Sequence, residues 1–121
     1  MRILIIDDDK DVTKMLSTYL ELKNHSCFVA NDARTGLELI DDNDYDVILL
    51  DLAMPEVSGF DVLEILSENN KSVCTKIVVF TAVPLMGSEK KEILTKGVLS
   101  ILEKPMNVKS LLDNLEQLTK K

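Results

Sequence analysis

The chain has a single histidine, His25, and only two cysteines, Cys27 and Cys74. With neither a CxxC spacing nor clustered histidines, there is little from which to build a zinc site. His25 lies in the polar connection Lys23-Asn24-His25-Ser26, which reads as a solvated loop rather than the place of a catalytic base or a phosphocarrier. The two thiols read as free cysteines near strands, as expected in a reducing compartment. No apolar stretch reaches the roughly 18 residues of a membrane-spanning helix, and the amino terminus runs straight into a strand-like segment that ends in acids, unlike a signal peptide. These features predict a cytoplasmic protein with no membrane partner. Basic residues are also in deficit, 14 Lys plus Arg against 21 Asp plus Glu, for a formal charge of -7. Direct binding to a phosphate backbone is disfavoured by that balance. Nor does a glycine-rich turn follow the first strand-like run. Asp7-Asp8-Asp9-Lys10 stands there instead, and would set carboxylates against a pyrophosphate, which argues against dinucleotide binding.

What the chain does have is globular composition, 45% hydrophobic and 29% charged, in a length that suits one domain, residues 1–121. Four apolar runs each stop at a polar residue. Arg2-Ile6 stops at Asp7-Asp8-Asp9, Val47-Leu50 at Asp51, Ile77-Phe80 at Thr81, and Val98-Leu102 at Glu103-Lys104-Pro105. A fifth short run, Cys27-Ala30, lies between the first two. Stretches with helical spacing separate the runs. Val12, Met15, Leu16, Tyr19 and Leu20 form a stripe at i, i+3, i+4, i+7 and i+8. Shorter stripes are Ala33, Leu37, Ile40; Val62, Leu63, Leu66 after a Ser58 cap; and Val108, Leu111, Leu112, Leu115, Leu118. The segment Ser88 to Lys96 is poorer, with Ile93 and Leu94 as its main apolar residues before Gly97, and predicts a weakly anchored helix.

Five strands alternating with five helices predict an α/β fold with a parallel sheet covered on both faces. The runs Ile3-Ile6, Val47-Leu50 and Ile77-Phe80 are continuous rather than alternating, which marks central strands buried on both sides. With right-handed crossovers the best arrangement is the flavodoxin-like (βα)5 three-layer sandwich, strand order 2-1-3-4-5. That order sets the ends of strands 1 and 3 side by side, so Asp7, Asp8 and Asp51 converge. Clustered carboxylates repel without a compensating cation, and oxygen-only ligation suits Mg²⁺. Asp7 to Asp9 could equally cap the first helix, where negative charge is favourable. Asp51 has no helix start beside it to cap. A carboxylate can act as a nucleophile toward a phosphoryl group, while Thr81 could hydrogen-bond a phosphoryl oxygen and Lys104 could offer another an ammonium.

This pattern resembles the receiver domain of two-component response regulators, the CheY-like domain, over the whole chain. The resemblance rests on Ile3-Leu4-Ile5-Ile6-Asp7-Asp8-Asp9, on Asp46-Val47-Ile48-Leu49-Leu50-Asp51-Leu52-Ala53-Met54-Pro55 with Gly59, on Val79-Phe80-Thr81-Ala82, and on Lys104-Pro105. It implies that Asp51 is phosphorylated by a histidine kinase or a phosphotransfer protein. It also implies that Asp8 binds Mg²⁺ directly, that Asp7 assists through water, and that Asp51 and the Ala53 carbonyl complete the protein ligands. Thr81 and Lys104 would contact the phosphoryl group, and Lys104-Pro105 would be joined by a cis peptide. Phosphorylation would then switch binding to a downstream protein, or dimerisation, through the fourth helix, fifth strand and fifth helix. The domain would be no enzyme beyond its own phosphoryl transfer and autodephosphorylation. Two departures stand out. Ile101 occupies the place, three before the lysine, where the family usually has an aromatic residue, and Ser58 replaces the acid often found before the glycine, a change that keeps a helix-capping side chain; Ala53 and Val83, two beyond Asp51 and Thr81, cannot position a hydrolytic water. Competing readings are a metal-dependent phosphatase, which would need a general acid where Ala53 stands, and a pseudo-receiver that signals without phosphorylation.

Overall fold

Every apolar run singled out above becomes a strand of one parallel sheet in the computed structural model, which describes residues 1–120. The elements are β1 (Arg2–Ile6), α1 (Lys10–Leu22), β2 (Ser26–Ala30), α2 (Ala33–Asp42), β3 (Val47–Leu50), α3 (Gly59–Asn69), α4 (Lys71–Cys74), β4 (Ile77–Thr81), α5 (Gly87–Thr95), β5 (Ser100–Glu103) and α6 (Val108–Thr119). The sheet has the expected order β2-β1-β3-β4-β5, with every neighbouring pair parallel. The flavodoxin-like architecture is therefore observed.

Because side chains alternate along a strand, the continuous apolar runs serve two cores at once. Leu4, Ile6, Ile48, Leu50, Ile77 and Val79 pack on one face of the sheet with Ile40 of α2, Leu63 and Leu66 of α3 and Ile93 of α5. Ile3, Ile5, Val47, Leu49, Val78 and Phe80 pack on the other face with Leu16 and Leu20 of α1 and Leu111 and Leu115 of α6. This double burial is the reason no polar residue interrupts the central strands.

Helix starts follow their side chains. Asp9 accepts from the backbone N–H groups of Asp11 and Val12 at the start of α1, Asp32 from Thr35 at α2, and Asn107 from Ser110 at α6. Ser58 and Asp61 cap each other's backbone at α3. Each such cap contributes about 1 kcal/mol. By contrast, α5 begins after Met86, which offers no oxygen, and only Ile93 of the helix is buried. The weak anchoring expected of this segment is what the packing shows.

Five details depart from the sequence reading. A sixth helix, α4, fills the α3–β4 connection; Asn70 donates its backbone N–H to Leu66 to end α3, and one further turn carries Cys74 into the core at 0% exposure. Four residues are too few to show a period. Met15, assigned to the buried stripe of α1, is 54% exposed, because Leu16 and Leu20 take the centre of the contact and Met15 falls on its flank. Likewise Leu94 of α5 faces outward while Ile93 faces in. Finally, β5 begins at Ser100 rather than Val98, and β4 runs through Thr81, which is paired with Glu103. No helix among the described residues is long and apolar enough to cross a membrane.

Candidate functional site

Strand register brings the four stops together at the carboxyl edge of the sheet, the edge at which open α/β sheets place their ligands. Ile6 of β1 is aligned with Leu50 of β3, and the Asp51 backbone N–H extends the ladder by donating to the Ile6 carbonyl at 3.0 Å. Asp7 and Asp51 therefore leave adjacent central strands side by side. On the other side of β3, β4 ends at Thr81, whose hydroxyl donates to Asp51 Oδ1 at 2.8 Å. The Thr81 hydroxyl in turn accepts from the Val83 N–H at 3.2 Å, which fixes its direction. Ala53 donates its backbone N–H to the same Asp51 oxygen at 3.3 Å.

Lys104 arrives from the edge strand. Its backbone N–H donates to the Thr81 carbonyl at 2.9 Å, and the peptide to Pro105 is cis, as the resemblance implied. Its ammonium lies 2.5 Å from Asp7 Oδ2 and 3.4 Å from Asp51 Oδ2. Burial by itself would lower the pKa of this amine, but the hydrogen bond and charge of Asp7, followed by those of Asp51, outweigh it and hold the pKa above its ordinary value. The lysine is a cation throughout the physiological range.

Asp7 is buried at 3% exposure and Asp51 at 8%, whereas Asp8 is exposed at the mouth of the site. One carboxylate oxygen from each of the three lies within 4.8 Å of the others. Of the acid run, Asp9 is the residue that caps α1, while Asp7 accepts the Asp9 backbone N–H at 2.9 Å and turns its other oxygen to Lys104. Helix capping thus accounts for one acid and leaves two for the site. Three carboxylates against one ammonium leave a surplus of two negative charges. An all-oxygen donor set with that surplus fits a hard divalent cation such as Mg²⁺, and no soft donor stands among the three.

Other residues shape the site, and of these Asn31 was not singled out for it. The Asn31 amide donates to the Asp7 carbonyl at 2.9 Å and to the Thr13 hydroxyl at 3.1 Å, bracing the β1–α1 loop. Its one sequence signal is an amide placed directly after a strand next to β1. Gly59, at the start of α3, packs on the backbone of Asp51 and Leu52 so closely that no side chain fits between. Phe80 puts its ring under the Lys104 ammonium, with 5.4 Å to the centroid. Ile101, in the place of an aromatic, is half-buried and packs with Val83 and Leu85 against the core on the α2–α3–α5 face.

The family model for the response regulator receiver domain matches residues 3–116, and this chain belongs to that family. The transcriptional regulatory protein CpxR of Escherichia coli K12 is 32% identical over 122 residues, which cover 99% of this chain and 50% of CpxR. The chain thus spans about half the length of the curated relatives it matches. Among solved structures, the receiver domain of Francisella response regulator 1452 is 31% identical, with a TM-score of 0.85 and coverage of 98% of this chain and 96% of that one. A two-component response regulator from Clostridium difficile is 27% identical, with a TM-score of 0.87 and coverage of 100% and 97%.

Proposed function

We propose that this chain is the phosphoacceptor module of a two-component system, taking a phosphoryl group on Asp51 from a phosphohistidine of a kinase or phosphotransfer protein. In the transfer an Asp51 carboxylate oxygen forms a bond to phosphorus as the phosphorus–nitrogen bond breaks, and the imidazole leaves with the bonding electrons. The observation that carries this reading is the convergence on Asp51 of two groups from different strands, the Thr81 hydroxyl at 2.8 Å and the Lys104 ammonium at 3.4 Å. A side chain needed only for folding has no use for both at the mouth of a sheet.

Asp7, Asp8, Asp51 and the Ala53 carbonyl are the residues that would hold Mg²⁺, which when bound supplies charge neutralisation for the transferring group. The protein's own residues do the rest. Asp51 is held in one orientation by Thr81 and by the Ala53 N–H, so attack requires little reorganisation. Lys104 and Thr81 offer donors for oxygens that acquire charge as the group transfers. Hydrolysis of the acyl phosphate returns the site to its starting state, and neither Ala53 nor Val83 has a polar side chain with which to hold a water for it.

Phosphorylation adds roughly two negative charges and several acceptor oxygens, which gives Thr81 and Lys104 new partners and draws on the loops that carry them. The responding surface is α5, β5 and α6, since α5 is held by a single buried residue and weakly packed elements move at low cost. Its readout is binding of a downstream protein in the cytoplasm, or of a second copy of the domain. Intact mass measured after incubation with a small acyl phosphate and Mg²⁺ tests the reading. A phosphoryl adduct is expected on the native protein and none on Asp51→Asn. Absence of the adduct from native protein, under conditions that label another receiver, would overturn it.

A further inference from the structure

Lys104 belongs to the chain segment beyond β5, at the edge of the sheet, yet the acids it serves follow β3 and β1 in the interior. To reach them its side chain must cross the end of β4, and Phe80 is the penultimate residue there. The ammonium lies 5.4 Å from the Phe80 ring centroid while it is 2.5 Å from Asp7 and 3.4 Å from Asp51. Phe80 itself is 6% exposed and fixed in the core shared with α1 and α6. The ring is thus a rigid face presented to a flexible, largely desolvated cation, the setting in which a cation–π contact counts for most.

We infer that Phe80 is a positioning residue for the chemistry of Asp51, its ring face holding the Lys104 ammonium within reach of the acids. The inference rests on the reading of Asp51 as phosphoacceptor. A lysine carries a long stem with many rotamers and a compact charge that water competes for. Two acids alone pull that charge toward whichever is closer, here Asp7. A π face beneath it narrows the range of positions and keeps the ammonium within reach of an oxygen on Asp51. Leucine or methionine at this position would fill most of the volume and present no such face, whereas tyrosine would keep it.

The test uses the whole chain, with Mg²⁺ and beryllium fluoride as a mimic of the phosphoryl group, titrated by fluorine NMR on native protein and on Phe80→Leu, Phe80→Met and Phe80→Tyr. Leucine and methionine are expected to weaken fluoroberyllate binding roughly three- to tenfold, with tyrosine within twofold of native. The ε-methylene protons of Lys104 give an independent signature. Ring currents shift them upfield in native protein and in Phe80→Tyr, and the shift is lost in the two aliphatic variants. Equal binding by native and the aliphatic variants overturns the inference, as does a loss in Phe80→Tyr as large as theirs, which would mean packing and not the ring face. If only one aliphatic variant folds, that one decides. Failure of the phosphoacceptor reading looks different, because native protein would then form no fluoroberyllate complex at all.

Discussion

Replacing Gly59 with alanine should damage the site from below. A Cβ built at Gly59 would lie 2.2 Å from the Asp51 carbonyl oxygen, 2.6 Å from the Leu52 Cα and 2.9 Å from the Asp51 carbonyl carbon. All three are backbone atoms, so no side chain can swing aside, and either α3 or the loop carrying Asp51 has to move. Overpacking costs typically about 1–3 kcal/mol, and alanine's better helix propensity returns at most about 1 kcal/mol. A net loss of about 2 kcal/mol follows for contacts this short. With an unfolding entropy of about 2.1 cal/mol/K per residue, a chain of 121 residues loses about 4 °C of Tm per kcal/mol, hence about 8 °C. The assay is thermal unfolding by circular dichroism, with adduct formation from a small acyl phosphate measured on the same samples. Two other glycines supply the scale. Gly87→Ala meets nothing within 4 Å and should leave Tm unchanged or slightly raised. Gly36→Ala meets side-chain atoms of Ile6 from 2.8 Å, where a rotamer change gives partial relief, and should fall between. A Gly59→Ala protein that melts within 2 °C of native and is phosphorylated at the native rate would refute the reasoning.

Thr81→Val keeps the shape but removes a hydroxyl that donates to Asp51 and accepts from the Val83 N–H; a loss of about 1–2 kcal/mol is expected, read as a lower urea midpoint, with Thr81→Ser recovering most of it. Cys27 should label slowly, since burial, then the charge of Glu21, pushes its thiol up to about 11. At pH 8 its thiolate fraction is then on the order of a hundredfold below that of a free cysteine, and alkylation should accelerate steadily with pH until about 11. The linkage has a definite sign. The folded state holds this proton more tightly than the unfolded chain, so the thiol's contribution to stability is intact below its unfolded pKa and is lost as pH rises through about 11. Urea midpoints of native and Cys27→Ala protein between pH 8 and 10.5 should therefore diverge, the native falling faster; parallel curves would contradict it.

Much of the fold is legible in the sequence because its signals are local. A central strand buried on two faces must be apolar at every position, as Val47-Leu50 is, and a helix start must answer its own N–H groups, as Asp9, Asp32, Ser58 and Asn107 do. Asp51 stood out for the same kind of reason, a carboxylate ending such a strand with no helix beside it to cap. What escaped local reading was short or set by competition. The single turn of α4 has no period, and whether Met15 or Leu16 faces the core depends on the angle at which α1 lies on the sheet.

The sequence by itself determined the five strands, the polar residue at the end of each central one, and through their alternation with helices the order that gathers those residues at one edge. Tertiary structure alone decided which of their atoms meet, and at what distance. Lys104 and Asp7 are 97 residues apart, and no spacing could say that the ammonium would sit nearer Asp7 than Asp51, or that Phe80 would lie beneath it. Those relations depend on register across four strands and on side chains meeting in three dimensions. Apolar patterning specifies which face a residue takes, while the ångström that separates one carboxylate from another is settled only when every strand is in place.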